Sequence, residues 1–278
     1  MRRLFFATLL VSAAAIGYEI LLMRVLSIVQ WHHFAYMIIS LALLGYGASG
    51  TFIALFRRTL EPHFEEAFAL CALGFSVAMV VCFVVGQRVP FNALEIIWDR
   101  TQFANLSLLY LVFFVPFFFA ASCIGLALTC RGQAISQIYF FDLLGAGAGA
   151  MLAIGLLFVA YPQVALLVLV ALAIIASRLV GSGETARWPL LLGQFGWVLV
   201  VAVIVLGGGL SLKPSEFKGL SQALQVVDSQ VLAEASSPLG LLTVVDSPTV
   251  PVRHAPGLSF NARHIPPEQL AVFTDAAG

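Results

Sequence analysis

Long apolar runs separated by short polar links dominate the chain. They lie near Leu4–Met23, Phe34–Phe56, Phe64–Val85, Phe103–Thr129, Ile138–Ala160, Val164–Val180 and Pro189–Leu212. Crossing a hydrocarbon layer of about 30 Å takes about 20 apolar residues at about 1.5 Å per residue, so each run predicts a transmembrane helix. The links are Arg57-Arg58-Thr59, Gln87–Gln102, Arg131-Gly132-Gln133, Tyr161-Pro162 and Gly181–Trp188. The pattern Leu94–Asp99, within the longest link, predicts a short amphipathic helix in the interface, with Trp98 at headgroup depth. Pro116, inside the fourth run, removes a backbone donor and predicts a kink.

The texture changes at Lys213. Phe217, Leu220, Leu224 and Val227 recur at helical spacing and predict a short amphipathic helix. Gln230–Ala235 and Leu241–Asp246 read as strands flanking the turn Ser236-Ser237-Pro238-Leu239-Gly240, which predicts a β-hairpin. The proline-containing remainder reads as loop with no closing element. The expected architecture is thus an all-α membrane bundle of about seven transmembrane helices over 1–212, followed by a soluble tail over 213–278 holding a helix and a hairpin.

Composition agrees: 61% of the 278 residues are hydrophobic, 10% are charged and the mean hydropathy is +1.00, more apolar surface than a soluble fold can hide. A formal net charge of +0 offers no field for nucleic acid, so the expected partner is the lipid bilayer. Arg2, Arg3, Arg57, Arg58, Arg131, Arg178 and Arg187 would share one side in an alternating topology, against Arg24, Arg88, Arg100, Lys213 and Lys218 opposite. That bias favours a cytoplasmic N-terminus and, with an odd number of spans, an exported tail. Cys71, Cys82, Cys123 and Cys130 sit in or beside apolar runs without metal-ligand spacing and read as small packing residues. His32 and His33, after Trp31, read as interfacial anchors.

Charges within spans are costly, about 2.5 kcal/mol or more each, so those that persist should face a bundle interior or a cavity. Glu19 is either a proton or cation site or the partner of a basic group, while Arg24, near the helix end, can snorkel to the interface. Tyr139 and Asp142 open the fifth span, where Asp142 is either a buried pair partner or simply near the interface. Gly145 and Gly149 form a small-xxx-small face. Gly45 and Ser49 offer a matching surface in the second span, and packing of those two helices on each other would make the bundle's tight seam. No catalytic, metal or cofactor-binding motif is present: there is no G-x-S-x-G, H-E-x-x-H, Walker loop or strand-linked G-x-G-x-x-G.

The stretch from Gly17 to Leu26, with its Tyr18-Glu19 pair and Arg24, resembles the opening of bacterial membrane proteins fused to a spermidine-synthase-like domain. Tyr139 through Gly149, Val89–Leu94, Ser215–Leu224 and Ser236–Pro248 are similar to further parts of that family. The resemblance implies a bacterial inner-membrane protein whose hairpin leads into a Rossmann-type domain binding S-adenosylmethionine or its decarboxylated form. It implies too that this chain comprises the membrane region and the start of that domain, with the catalytic part downstream. No catalytic residue carries over and no cofactor is expected in this chain; aminopropyl or methyl transfer would belong to the downstream partner domain. A cytosolic cofactor would call for a cytoplasmic tail, opposite to the charge bias. Transport of a small cation or polyamine-like solute, or a scaffolding role, is the alternative expectation.

Overall fold

The structure, a computed structural model, describes residues 1–30, 34–92, 95–181, 187–250, 252–253, 258–259, 261 and 266–277. The expected His32 and His33 anchors, and Ala93 and Leu94 of the long link, lie outside the described residues. The helices are α1 (Arg2–Val29), α2 (Ala35–Leu60), α3 (Phe64–Gly86), α4 (Thr101–Cys130), α5 (Ile135–Val159), α6 (Pro162–Val180), α7 (Arg187–Leu206) and, in the tail, α8 (Gly219–Ala223). Six helices are long and apolar enough to cross a membrane, α1 to α6, so the chain is a multi-pass membrane protein. The described part of α7, Gly193–Leu206, is a shorter apolar segment. Arg57 and Arg58 close α2 where cations complement the helix dipole, and Glu65 and Glu66 open α3 at its opposite pole. Asp99 accepts the Thr101 amide at 2.9 Å at the start of α4, whose helix runs on through Pro116.

α1 is the centre of the bundle. It packs against α5, α6, α2 and α4, while α3 joins α4 to α6 on the far side. Its apolar window is 61% buried, against 22% for α5, whose outer face is open. Tyr18 of α1 is fully buried, with its ring edge-on to Phe75 and its hydroxyl 3.4 Å from the Met79 carbonyl oxygen. α7 is held by Gln194, whose amide donates to Ser177 Oγ at 3.0 Å while Ser177 donates to the Ala69 carbonyl.

Glycines set how closely these helices approach. A methyl at Gly145 would collide with the Leu9 carbonyl, and one at Gly149 with that of Ala13, so α5 lies directly on the backbone of α1. Gly45 packs instead on α4, where an added Cβ would come within 2.6 Å of Phe117 Cβ. The two small-residue surfaces therefore meet α1 and α4 respectively rather than each other. Small residues permit close approach without naming the partner. Ser49 is buried, and its hydroxyl returns to the Tyr46 carbonyl at 2.9 Å.

In the tail, β1 (Gln230–Ser236), β2 (Leu241–Asp246) and β3 (Ala271–Thr274) form an antiparallel sheet in the order β1-β2-β3. The hairpin thus acquires a third strand, where a loop was expected; four residues following two prolines carry too little alternation to be read as a strand. β2 buries Leu241, Thr243 and Val245, and Phe273 of β3 joins Leu220 and Val245 in a small core separate from that of the bundle. The tail helix is limited to Gly219–Ala223, with Leu224 and Val227 left exposed, so the expected longer amphipathic helix does not form. Similarly, Glu95–Trp98 makes a single turn, with Ile97 and Trp98 exposed, in place of an interfacial helix.

Replacing Gly149 by leucine should cost about 1–3 kcal/mol by forcing α5 off α1, whereas Gly147→Leu, where an added Cβ meets nothing within 4 Å, should be near neutral. Thermal unfolding of the two variants in detergent measures the difference.

Candidate functional site

The polar residues of α1 serve two sites. The first lies within the membrane-crossing part of the bundle. Ser12 of α1 is buried, and its hydroxyl donates to the Asp142 carboxylate of α5. The contact follows from the glycine approach, because Gly145 lies less than one turn beyond Asp142 and brings its carboxylate up to the α1 surface. Two turns further along α1 from Ser12, Glu19 lies on the same side of the helix and is partly buried. Tyr46 of α2 stands within electrostatic reach of both Asp142 and Glu19. Three helices thus place two carboxyl groups, a phenol and a hydroxyl in one part of the bundle, with a direct contact between Ser12 and Asp142. Among the described residues Glu19 has no hydrogen-bonding or ion-pairing partner, so the expected basic neighbour is not there. Tyr139 does not contribute: 54% of its surface is exposed on the outer face of α5.

The second site joins α1 to the tail. Arg24, only 7% exposed, places Nη2 2.6 Å from Asp275 Oδ1, and its Nη1 donates to Asp275 Oδ2 at 2.7 Å and to Ser27 Oγ at 2.9 Å. Nη1 makes the hydrogen bond to the carboxylate while Nη2 contributes a close ionic contact. Asp275 Oδ1 also accepts the Leu241 amide at 2.8 Å, which ties the pair to β2. Lys218, 4% exposed, donates from Nζ to the carbonyls of Ser27 at 2.6 Å, Ile28 at 2.8 Å and Asp275 at 2.6 Å. An ammonium on the last carbonyls of α1 satisfies groups that the helix itself leaves open and complements the negative end of its dipole. Ser215 N donates to the Val29 carbonyl at 2.9 Å, and Lys213 N to Gln87 Oε1 at 3.0 Å, so the linker is bound to the same ends of α1 and α3. Asp275 (φ 53) and Ala276 (φ 59) both take the left-handed conformation. An alanine there is disfavoured by about 1–2 kcal/mol, and the bonds around the turn hold it.

Of the residues singled out from the sequence, the structure ties Asp142 to Ser12, leaves Glu19 related to it only through Tyr46, and sends Arg24 to Asp275. Ser12, Tyr46, Lys218 and Asp275 escaped that reading. Serine and tyrosine are ordinary in a membrane helix, and Asp275 lies 251 residues from Arg24 with no local motif to mark it. Among the described residues no group of three or more His, Cys, Asp or Glu side chains is arranged to hold a metal. No protein family matches the chain, and neither a curated protein nor a solved structure does.

Burial alone would raise the Asp275 carboxyl. The Arg24 hydrogen bond, the Leu241 amide and the charges of Arg24 and Lys218 outweigh it and hold the group below its ordinary value of 3.8. Tail docking is therefore fully supported above pH 3.8 and weakens as pH falls through the depressed value. Burial pushes the Lys218 ammonium down to about 8, against the pull of Asp275, so docking releases a proton between about 8 and 10.5 and strengthens with rising pH in that window. Amide hydrogen exchange of residues 241–246 should accordingly accelerate on acidification below pH 3.8 and slow between pH 8 and 10.5 after correction for intrinsic rates. Arg24→Gln should accelerate it even at pH 7, with a stability loss of about 2–4 kcal/mol, slightly under the fully buried range because Asp275 keeps some exposure.

Proposed function

We propose that this chain is the membrane-anchoring module of a spermidine-synthase-like protein of a bacterial inner membrane, and that its bundle seats the opening sheet of that protein's soluble domain at one membrane face. The observation that carries this reading is the latch: Arg24, Lys218 and the end of α1 clasp Asp275 and so fix β2 and β3 against the bundle. A tail without work to do in register with the membrane would not need three buried charged groups to hold it.

Seven crossings are part of the proposal. α6 ends at Val180, beside Arg3 at the face where α1 begins, whereas Lys213 meets Gln87 at the opposite face. A seventh crossing by α7 would carry the chain between these faces, and its 20 residues, at about 1.5 Å each, are long enough. Arg2, Arg3, Arg57, Arg58, Arg131 and Arg178 cluster at the N-terminal face and favour it as cytoplasmic, with the tail outside. A cytosolic adenosyl cofactor would require the reverse orientation.

The natural gene product, with whatever sequence follows Gly278, should bind S-adenosylmethionine or its decarboxylated form, or a polyamine, in calorimetric titration. Absence of binding by all three removes the synthase part of the reading and leaves the anchoring part.

These polar groups support a second reading, transport of a small cation. Glu19 has no partner among the described residues, and Tyr46 feels both its charge and that of Asp142. In proteoliposomes carrying the wild type, flux of a monovalent or polyamine cation should be measurable and should fall at least tenfold in Glu19→Gln and Asp142→Asn. Equal flux in all three, or none in any, rejects transport.

A further inference from the structure

At the N-terminal face, where α1, α3 and α6 and the α4–α5 turn converge, there is a cavity of about 520 Å³ that is lined by neither the latch residues nor Ser12, Glu19, Tyr46 and Asp142. Its polar lining comes from Arg3, Glu65, Arg131 and Gln133, and Leu4 and Leu179 form part of its apolar wall. Arg131 directly follows α4, and its guanidinium lies over the Phe64 ring at 4.6 Å from the centroid. The ring beneath the guanidinium holds it at the cavity wall, and arginine's N–H groups suit a tetrahedral oxyanion. Arg3 approaches from a different helix, so the two cations bracket the space. Arg57, on the same face, is paired with Glu61 at 3.5 Å.

Arginines at the cytoplasmic ends of spans are a common topological signal and face solvent on convex ground. Here two of them line a concave space together with, among the described residues, a carboxamide and one carboxylate. Glu65 repels a fully ionised anion but accepts a hydrogen bond from a hydroxyl. The combination suits a phosphate that carries a proton or a hydroxylated ester substituent, and disfavours bare dianions such as sulfate.

We infer that this cavity is a binding site for a phosphate group, inorganic or esterified, held by Arg3 and Arg131 with its hydroxyl turned to Glu65. Such a group is available as a free small molecule or as a phosphoglycerol lipid headgroup, and both share this chemistry.

The test uses the purified chain in detergent. Inorganic phosphate is titrated calorimetrically at pH 6, with sulfate as a comparison, and in parallel the protein is exposed to mixed micelles containing phosphatidylglycerol and analysed by native mass spectrometry. Saturable binding of phosphate assigns the site to a soluble ligand; retention of phosphatidylglycerol without phosphate binding assigns it to the headgroup. In whichever arm binds, Arg3→Gln and Arg131→Gln should each weaken binding at least tenfold, and Glu65→Gln should relax the preference over sulfate. Arg58→Gln, on the same face but not lining the cavity, should change affinity less than twofold. Arg3 is exposed, and thermal unfolding of Arg3→Gln and Arg131→Gln in detergent separates loss of the site from loss of the fold. Binding in neither arm, or equal losses for Arg58→Gln and Arg131→Gln, overturns the proposal.

Discussion

The contact between the backbones of α1 and α5 governs the arrangement of the rest. In hydrocarbon the helices gain nothing from hiding apolar surface, since lipid is as apolar as leucine, so their association relies on close packing and on polar groups that find partners. Gly145 and Gly149 allow α5 to reach the Leu9 and Ala13 carbonyls, and that approach positions Asp142 against Ser12. The same helix α1 then has its remaining sides free for α6, α2 and α4. A side chain at either glycine would separate the helices and withdraw the carboxylate from its donor, so packing and polar chemistry rest on one feature.

At the other end of α1 the constraint is electrostatic. Two cations and one carboxylate, all substantially buried, are tolerable because each has several hydrogen bonds: Lys218 donates three, and Asp275 accepts from Arg24 and from the Leu241 amide. Removing one member would leave the others charged and unpaired. This arrangement makes the latch demanding of geometry, which is consistent with the left-handed Asp275-Ala276 turn being held rather than relaxed.

The helices were legible in the sequence because apolar runs of that length have one stable solution in a membrane, and the hairpin because alternation and a Pro-Leu-Gly turn agree. What stayed hidden were relations between distant positions. The glycine surfaces at Gly45 and Gly145 could be seen, yet each found a partner other than the one expected, since a smooth face fits any helix that arrives. Arg24 read as a side chain able to snorkel to the interface, and nothing local to it indicated Asp275. β3 went unseen because four residues show no period, and its register comes from β2. Glu19 and Asp142 stood out as charges in apolar runs, whereas Ser12 and Tyr46, which complete their surroundings, are unremarkable until three helices are assembled.

α1 is a single helix of 28 residues, about 42 Å at 1.5 Å per residue, with Glu19 and Arg24 five residues, or about 7.5 Å, apart along its axis. The Glu19 carboxyl, unpaired among the described residues, and the guanidinium that clasps the sheet are thus carried on one rod, and the sheet takes its position from the same helix that the other helices surround.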